Sequence, residues 1–529
     1  MAARSGKQYL ESLKVNQPEV YLNGQRVEDV TTEPVFAGPL ASIMQQYDLQ
    51  HEPANVDVMT FADPDTGVRH STSFLIPRSK EELIRRRQHF KLRTDHNFGF
   101  MGRAPDFMNA IVVDFFLMRD LFAPADPRYA DNMAAYYEHV RDHDLFLTHM
   151  LVNPQVDRSK TSAEQEDPYT HLGRVRATDE GIVIRGAKML GTMAPLCEEV
   201  MVFPYGGVAP GDEAYALAFA IANNTSGLKY ICRETVAPGS RTRFDHPLSS
   251  RFEEMDCIAI FDDVVVPWER VFIDGGGPKA REICNVLRPR GGSVVVQTAT
   301  RMLSQLEFFC GLAMRLADST GITDFLHVQE KLGEMLMELE VLRTTYYGAE
   351  AMAAPGPDGV WAAHQLGLAA AHLRAPHVYA RLVEIVQILA GGGFFYAPTQ
   401  GDLANESLRP YIDKYVRGRP GISAEERIAL FKLAWDVTGD SFGSRMAQYV
   451  RFYSGDPIRN KAGFYLGYPM KDTLFDVVGR ALGAMGDLDV PISAIDGRDQ
   501  GVRRQPAPGT LSGAYPANSA PRRAPRAPA

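Results

Sequence analysis

Apolar residues follow three different patterns along the chain. From residue 7 to about 156 they recur mainly at helical spacing. From about 157 to 272 they occur in short runs that are separated by glycine and other turn residues, a pattern typical of antiparallel strands. From about residue 278 the helical spacing returns, over lengths suited to a helical bundle. The pattern predicts an α+β protein, mainly α, with a small β-barrel or sandwich between two helical parts.

The predicted elements have the following bounds. Helices are predicted at 7–15, 79–94, 105–122, 129–148, 294–320, 324–353, 361–389 and 424–439. Strands are predicted at 181–192, 200–203, 215–221, 230–232 and 257–261. Asn23-Gly24 predicts a hairpin turn within 20–27. Ser79 followed by Glu82 is a capping box, and Pro105 is typical of the first position in a helix.

Composition excludes several classes of protein. The net charge of -9 gives no electrostatic support for nucleic-acid binding. No run of about 18 apolar residues predicts a transmembrane helix, and the N-terminus lacks an apolar signal core, so we expect a cytoplasmic protein. The five cysteines are widely and irregularly spaced, which argues against a disulfide framework and a CxxC metal site. Residues 500–529, rich in Pro, Ala and Arg, are predicted to be a disordered tail.

Polar chemistry is concentrated between Leu147 and Lys160, where the helical pattern gives way to the β pattern. His149, Asn153, Asp157 and Arg158 place an imidazole, an amide, a carboxylate and a guanidinium within ten residues. This is suitable equipment for holding a polar, planar cofactor at a domain seam. The alternative is a polar inter-domain loop without a function.

Two further segments have both a functional and a structural interpretation. Arg103 follows a glycine and precedes the helix that starts at Pro105, so it could project into a cleft and bind an anion or a phenolate. It could equally be an exposed arginine at a helix start. The run Gly391-Gly392-Gly393 could let the backbone approach a ligand, or it could be only a helix C-cap before Pro398.

Other common sites have no support in the sequence. His139 and His143 share a helix face, but no H-E-x-x-H pattern accompanies them, so a solvated face is favoured over a metal site. No G-x-G-x-x-G follows a strand, and no Walker A or G-x-S-x-G sequence is present. We therefore predict no metal centre, Rossmann site, P-loop or serine-hydrolase site.

A combination of motifs, in order along nearly the whole chain, resembles one family. The motifs are Gly102 to Phe107, His149 with Val152 to Arg158, Gly186-Ala187-Lys188 with Thr192, Asp262 to Glu269, the run at 391–393, and Phe452 to Pro457. They are similar to those of the oxygenating component of two-component flavin monooxygenases of the 4-hydroxyphenylacetate 3-hydroxylase type. The resemblance implies an acyl-CoA-dehydrogenase-like fold. Its parts would be an N-terminal helical domain (1–156), a middle β-barrel (157–277), a C-terminal four-helix bundle (278–499) and the tail.

The same resemblance implies an activity and partners. A separate flavin reductase supplies reduced FAD, and O2 adds to it to give a C4a-hydroperoxyflavin. That species hydroxylates a phenolic or related aromatic molecule next to its oxygen, while the protein excludes water. The resemblance also implies a homotetramer, a dimer of dimers, with flavin between barrel and bundle.

Site residues are implied by position in the family motifs. Arg103 and His149 would be catalytic, and with Phe107 they would contact the substrate. Thr192 would meet the flavin near N5. The full set implied for cofactor binding is His149, Leu151, Gln155, Val156, Asp157, Arg158, Thr192, Gly391, Gly392, Gly455, Asp456 and Pro457.

Two departures from the family pattern bear on the substrate. The motif that ends in Phe107 usually ends in Tyr, so one hydrogen bond to the reacting oxygen is missing, worth about 1–3 kcal/mol at a buried site. Residues 293–297 lack the histidine base of chlorophenol-degrading relatives. We therefore expect a substrate other than 4-hydroxyphenylacetate, either larger, less dependent on phenolate formation, or presented on a carrier protein.

Three alternatives accompany this interpretation. A dehydrogenase or oxidase of the same fold would need a carboxylate base over the flavin, which the sequence does not place. A radical dehydratase would need cysteines at iron–sulfur spacing, which the scattered cysteines do not provide. A non-catalytic homologue that binds a ligand is favoured by Phe107 and disfavoured by Arg103, His149 and Thr192.

Overall fold

The computed structural model describes residues 3–204, 207–237, 242–286, 292–453 and 455–483. The described residues divide into two compact units, one that ends at Tyr453 and one that begins after it. The predicted disordered tail at 500–529 lies outside the described residues.

Helices dominate the described part of the chain. They are α1 Gly6–Val15, α2 Ala37–Asp48, α3 Val56–Met59, α4 Lys80–His96, α5 Pro105–Leu117, α6 Arg128–His143, α7 Ser249–Phe252, α8 Pro278–Val286, α9 Ser293–Thr320, α10 Leu326–Ala351, α11 Gln365–Ala390, α12 Gln400–Ala404, α13 Arg409–Tyr415, α14 Ala424–Thr438, α15 Ser441–Phe452, α16 Pro457–Leu466 and α17 Lys471–Gly483.

The strands are shorter and lie mostly in the middle of the chain. They are β1 Glu19–Leu22, β2 Gln25–Val27, β3 Thr60–Ala62, β4 Arg69–Ser71, β5 Leu147–Met150, β6 Gly173–Ala177, β7 Gly181–Lys188, β8 Glu199–Val202, β9 Leu217–Ala222, β10 Leu228–Cys232, β11 Cys257–Pro267, β12 Val271–Asp274, β13 Ala354–Pro355 and β14 Trp361–Ala362.

Local signals in the sequence explain several of these boundaries. The Ser79 hydroxyl accepts a hydrogen bond from the Glu82 amide at 3.2 Å, which caps α4. Pro105 occupies the first turn of α5, where its missing N–H is no loss. Asn23 and Gly24 both have positive φ, 51° and 77°, as a two-residue type I′ hairpin turn requires. The predicted hairpin is therefore confirmed.

Two sheets form the β part of the first unit. One has six strands in the order β2-β1-β10-β11-β7-β6, and the other has four in the order β12-β9-β8-β5. The N-terminal hairpin joins the larger sheet because β1 pairs in parallel with β10. In the smaller sheet β5 pairs in parallel with β8, which sets His149 opposite Met201.

The predicted helix at 129–148 is wrong at its C-terminal end. Helix α6 stops at His143, where Asp144 adopts a left-handed conformation with φ 46°. Residues Leu147–Met150 instead form strand β5, so His149 lies on a strand. The apolar residues after Asp144 continued the helical pattern by coincidence, and a short apolar run does not separate helix from strand.

Two smaller boundaries also differ from the prediction. The helix predicted to reach residue 122 ends at Leu117, and a 3-10 turn, Arg119–Leu121, follows it. The sequence from Tyr449 to Pro457 predicts an interruption of the helices, but its first four residues, up to Phe452, form the last turn of α15. This second correction matters because it places Tyr449 and Tyr453 near a helix end that packs beside the candidate site.

The four long helices predicted after residue 290 are confirmed as α9, α10, α11 and α14. Helix α9 contacts the other three, and it also packs against α4 and α5 of the N-terminal part. Residues Gln365–Phe395 are long and apolar enough to cross a membrane, a property that core helices of soluble proteins share. Since α11 packs against α9 and α10, we assign it to the bundle.

Candidate active site

Arg103 lies in the turn just before α5, and aromatic rings surround its guanidinium. The Arg103 Cζ lies 4.0 Å from the centre of the Phe107 ring and 4.2 Å from that of Tyr453. The Arg103 backbone N–H donates to Glu254 Oε1 at 2.7 Å. The Nε and Nη1 atoms are buried and have no hydrogen-bond partner among the described residues. The rings fix the guanidinium while leaving donors for a polar ligand.

Phe107 lies one helical turn after Arg103 and joins it to His149. The Phe107 ring meets the His149 ring edge to face, with centroids 5.6 Å apart and planes at 82°. Phe107 is 5% exposed. The structure therefore brings together the three residues predicted to contact a substrate.

His149 is an uncharged imidazole on β5. Burial, reinforced by the Arg103 guanidinium, lowers the pKa of His149 to about 3. Its Nδ1 atom is buried without a hydrogen-bond partner in the described part of the chain. A neutral imidazole can donate at one nitrogen and accept at the other, which suits a phenol as well as a phenolate.

Thr192 lies in the turn after β7, close to strand β5, which carries His149. The Thr148 hydroxyl donates to the Thr192 carbonyl oxygen at 2.7 Å, which ties this turn to β5. Leu190 and Met193 on either side of Thr192 both have φ of 65°, so the turn is tightly constrained. The Thr192 hydroxyl donates to Asp256 Oδ1 at 2.7 Å.

Sequence reasoning missed a buried network that supports these residues. Arg445 on α15 donates from Nη1 to Glu254 Oε2 at 2.8 Å. It also donates from Nη2 to Asp256 Oδ1 at 2.9 Å and from Nε to Asp256 Oδ2 at 3.1 Å. Glu254 binds the Arg103 backbone and Asp256 binds Thr192, so one side chain from α15 links both ends of the site. The signal in the sequence was Glu253-Glu254-Met255-Asp256, three acids placed directly before a buried strand.

Arginines decide the ionisation of Asp256. Burial alone would raise the pKa of Asp256, but Arg445 and then Arg233 outweigh it and hold that pKa well below its usual range. Arg233 Nε donates to Asp256 Oδ2 at 3.1 Å. Asp256 is therefore a carboxylate, an acceptor without a proton to give.

Lys188 holds the start of the segment that follows β5. It is buried, which lowers its pKa to about 8, and it donates to Asn153 Oδ1 at 2.6 Å and to the Leu151 carbonyl at 3.3 Å. Leu151 and Asn153 are thus fixed near His149 through the lysine of the predicted 186–188 motif.

The next four predicted cofactor residues are at the surface. Gln155, Val156 and Arg158 are exposed, and Val156 has 72% of its area accessible. The Asp157 carboxylate accepts from the Ser159 amide at 3.0 Å within its own turn. Among the described residues no hydrogen bond, ion pair or ring contact joins these four to Arg103 or His149.

The predicted glycine-rich cofactor residues lie in other elements. Gly391 and Gly392 begin a 3-10 turn after α11, both are exposed, and a Cβ on either would meet nothing within 4 Å. In the second unit Gly455 has φ 94°. Asp456 accepts from the amides of Ile458 and Arg459 and so caps α16, whose first residue is Pro457. These contacts account for the local turns without a ligand.

His139, one of the two histidines considered for a metal, is engaged by protein groups. His139 Nε2 lies 3.0 Å from Glu199 Oε1, and Arg270 Nη1 donates to the other oxygen of Glu199 at 3.0 Å. His143 Nδ1 lies 2.8 Å from the His139 carbonyl oxygen. The pair belongs to a polar network at the surface of α6.

The sequence and the structure were compared with known proteins. Residues 5–273 match the family model described as 4-hydroxyphenylacetate 3-hydroxylase N terminal, and residues 292–482 match its C-terminal counterpart. The 4-hydroxyphenylacetate 3-monooxygenase oxygenase component of Thermus thermophilus is 42% identical over 469 residues, which cover 88% of this chain and 95% of that protein.

A second relative differs in its substrate. A Streptomyces globisporus monooxygenase is 32% identical over 494 residues, 92% of this chain and 91% of that protein. Its name gives a (3S)-3-amino-3-(3-chloro-4-hydroxyphenyl)propanoyl group on a peptidyl-carrier protein as its substrate.

A solved structure covers most of the fold. The crystal structure of the oxygenase component of a 4-hydroxyphenylacetate 3-monooxygenase, complexed with FAD, has 40% sequence identity and a TM-score of 0.85. It covers 91% of this chain and all of that one. The predicted fold class, mainly helical and acyl-CoA-dehydrogenase-like, is confirmed. The chain belongs to the 4-hydroxyphenylacetate 3-hydroxylase family.

Proposed function

We propose that this chain hydroxylates a phenolic or related aromatic molecule other than 4-hydroxyphenylacetate, with Arg103 and His149 as its catalytic residues. The general activity follows from membership of the family. The chain is the oxygenase component of a two-component, flavin-dependent aromatic monooxygenase, and it works with a separate reductase, FAD and O2.

One observation carries the proposal for the substrate site. Arg103 Nε and Nη1 and His149 Nδ1 are buried polar atoms without partners among the described residues, and both side chains contact the Phe107 ring. Such atoms are costly unless a ligand or water satisfies them. A phenolic oxygen at this position would accept a hydrogen bond from the guanidinium. It would also form a hydrogen bond with the imidazole, as donor when it is a phenol and as acceptor when it is a phenolate. Arg103 would thereby favour the more electron-rich phenolate.

The flavin would lie on the Thr192 side of this pair. Reduced FAD, when bound, activates O2 for transfer to the ring carbon next to the phenolic oxygen. Thr192 would meet the flavin near N5, and Leu151 with residues 155–158 would line it. The role of the protein is to hold the flavin and the phenol in a fixed relative position and to exclude water from the site.

We propose that a homotetramer completes the flavin site. Gly391 and Gly392 are exposed with open space beside them, which leaves room for a cofactor held by a neighbouring subunit. Large apolar side chains are also exposed in the first unit, among them Leu326 (80%), Met337 (71%) and Phe395 (83%), and such exposure supports an interface. Gly455, Asp456 and Pro457 of a neighbouring subunit would also contact the flavin. We further propose that the enzyme is cytoplasmic.

The substrate proposal rests on Phe107. With no hydroxyl, this side chain cannot donate to the phenolic oxygen, in contrast to the tyrosine usual in the family motif. The Streptomyces relative acts on a carrier-bound phenol, so a carrier-tethered substrate is included in the proposal. The Thermus relative carries the name of 4-hydroxyphenylacetate, which makes that compound the necessary comparison.

The test is a substrate panel under turnover. The protein is combined with a flavin reductase, NADH, FAD and 18O2. Free para-substituted phenols and one carrier-bound phenol are then compared by mass spectrometry. We expect at least one panel member to gain a single 18O atom faster than 4-hydroxyphenylacetate, and Arg103→Ala and His149→Ala to abolish the product. If 4-hydroxyphenylacetate is the best substrate, the proposal of a different substrate is wrong. If no phenol gains oxygen, the hydroxylase proposal is wrong.

A further inference from the structure

The Thr192 hydroxyl has a fixed hydrogen-bond polarity. A hydroxyl carries one proton to donate and two lone pairs that accept. The Thr192 proton is committed to Asp256 Oδ1 at 2.7 Å, and Thr192 is only 4% exposed, so water does not compete freely for it. Toward any further partner, Thr192 Oγ1 can act only as an acceptor.

Asp256 cannot return the proton. Its two oxygens accept four hydrogen bonds, one from Thr192, two from Arg445 and one from Arg233. Three of these donors are guanidinium N–H groups, and they stabilise the carboxylate strongly. An acceptor that is saturated in this way holds the hydroxyl in one orientation.

Flavins differ at N5 in the complementary sense. The N5 of reduced flavin carries hydrogen and donates, whereas the N5 of oxidised flavin presents a lone pair and accepts. We infer that Asp256, held by Arg445, fixes Thr192 as a hydrogen-bond acceptor, so that the site selects reduced over oxidised flavin. The inference rests on the proposed function, because it takes Thr192 to lie at N5. Asp256 and Arg445 are positioning residues that act through Thr192.

This polarity suits an enzyme whose flavin arrives reduced from another protein. The site would hold the incoming reduced form and would face the oxidised form with two opposed lone pairs. The oxidised flavin that remains after turnover would thus leave for re-reduction.

A purely structural role for the network makes a different prediction. Arg445 also binds Glu254, which holds the Arg103 backbone, so loss of the network could loosen the whole site. A general loosening of the site would weaken the binding of reduced and oxidised flavin to the same extent. Reversal of the hydroxyl would instead change the ratio of the two affinities.

Asp256→Asn is designed to reverse the hydroxyl. The oxygen at the Oδ2 position accepts from two guanidinium groups and the one at Oδ1 from a single guanidinium and Thr192. The amide oxygen of the asparagine should therefore occupy the Oδ2 position, with its NH2 group facing Thr192. Thr192 would then accept from the amide and could donate to oxidised N5.

The measurement is the dissociation constant of the full-length protein for oxidised FAD and for anaerobic, dithionite-reduced FAD, by ultrafiltration. We expect the wild type to bind reduced FAD at least tenfold more tightly. The ratio should fall at least fivefold in Asp256→Asn and Thr192→Val and should be restored in Thr192→Ser. The matched control is Asp262→Asn, an exposed carboxylate 3.5 Å from Lys229, which should leave the ratio unchanged.

A second probe needs no variant. In oxidised 5-deaza-FAD a C–H group replaces the N5 lone pair, so the wild type should bind it several-fold more tightly than oxidised FAD. Equal affinity of the wild type for oxidised 5-deaza-FAD and oxidised FAD overturns the inference and leaves the proposed function standing. The same holds if the ratio of the affinities for reduced and oxidised FAD is unchanged in Asp256→Asn and Thr192→Val. Failure of the wild type to bind FAD in either state overturns both.

Discussion

At the scale of single residues, the site combines one permanent cation with a neutral imidazole. Arg103 lies against two aromatic rings, and its charge helps to keep His149 unprotonated. In the proposed site the Arg103 guanidinium would supply the positive charge beside a phenolic oxygen. Phe107 adds shape and no hydrogen bond, so it is the residue at which substrate preference should change.

Phe107→Tyr should improve the use of 4-hydroxyphenylacetate. The new hydroxyl could donate to the phenolic oxygen beside His149, and one buried hydrogen bond of about 1–3 kcal/mol corresponds to roughly 5- to 150-fold in kcat/KM. Steady-state kinetics with a fixed supply of reduced FAD measures the effect. Phe107→Leu, which also lacks a hydroxyl, is the control and should show no gain. An equal kcat/KM for wild type and Phe107→Tyr would remove Phe107 as the cause of the substrate preference.

His149 should make the fold sensitive to acid. Its pKa is about 3 in the folded chain against an ordinary value of 6.5, so below pH 6.5 the unfolded chain gains a proton that the folded chain does not. The stability it contributes is therefore present above pH 6.5 and is lost as the pH falls toward 3. Between pH 6.5 and 4.5 the loss is about 2–3 kcal/mol.

The comparison of His149→Gln with the wild type isolates this effect from other buried histidines. Melting temperatures recorded from pH 7 to 4.5 should fall less in His149→Gln, by about 1–3 °C. His143→Gln, at an exposed position, should follow the wild type. Parallel curves for wild type and His149→Gln would show that the folded chain protonates His149 readily.

At the scale of elements, α15 holds the site together through one arginine. Arg445 is the partner of two carboxylates just before β11, the buried Glu254 and the partly buried Asp256. Glu254 in turn positions the turn before α5, and Asp256 the turn after β7. Four segments distant in sequence thus meet at one guanidinium.

Arg445→Met should destabilise the protein strongly. Glu254 would lose its guanidinium partner and Asp256 would keep only Arg233, and an uncompensated buried charge costs about 3–5 kcal/mol. Thermal unfolding and the half-life at elevated temperature should both fall. Arg374→Met is the control, because its ion pair with Glu338 is half exposed and worth about 1 kcal/mol or less. Losses of the same size in both variants would argue against a special role for Arg445.

The elements also show what could be predicted from the sequence. The long helices α9, α10, α11 and α14 were predictable because apolar spacing over many turns identifies a helix by itself. Strand β5 was not, because its partner β8 lies about fifty residues further along and no local pattern reveals that pairing. For the same reason Arg103 and His149 were found through the family motif, whereas Arg445 was not found.

At the scale of the whole molecule, the exposed apolar side chains bear on the proposed homotetramer. Leu326, Met337 and Phe395 are mostly exposed in the first unit, and Ile458 and Phe475 are exposed in the second. These exposed apolar side chains support the proposed subunit interface. The division into domains at 156, 277 and 499 stays a prediction, since α9 packs against the N-terminal helices as well as the bundle.

Light scattering with size-exclusion chromatography should find a tetramer. The expected mass is four times the 58.6 kDa of one chain. We also expect FAD to be lost when the tetramer is diluted until it dissociates, because the glycines at 391–392 would bind flavin from a neighbouring subunit. A monomer that binds FAD with undiminished affinity would contradict the shared site.

The most direct test of the central claim is rapid mixing. Protein loaded with anaerobically reduced FAD is mixed with O2, and the absorbance of oxidised flavin is followed in time with and without a para-substituted phenol. A protective monooxygenase site predicts a pronounced delay before oxidised flavin returns, relative to free reduced FAD, and one hydroxylated phenol for most flavins oxidised. Arg103→Ala should keep bound flavin but lose product. Reoxidation at the rate of free flavin, with no delay and no product, would contradict the account.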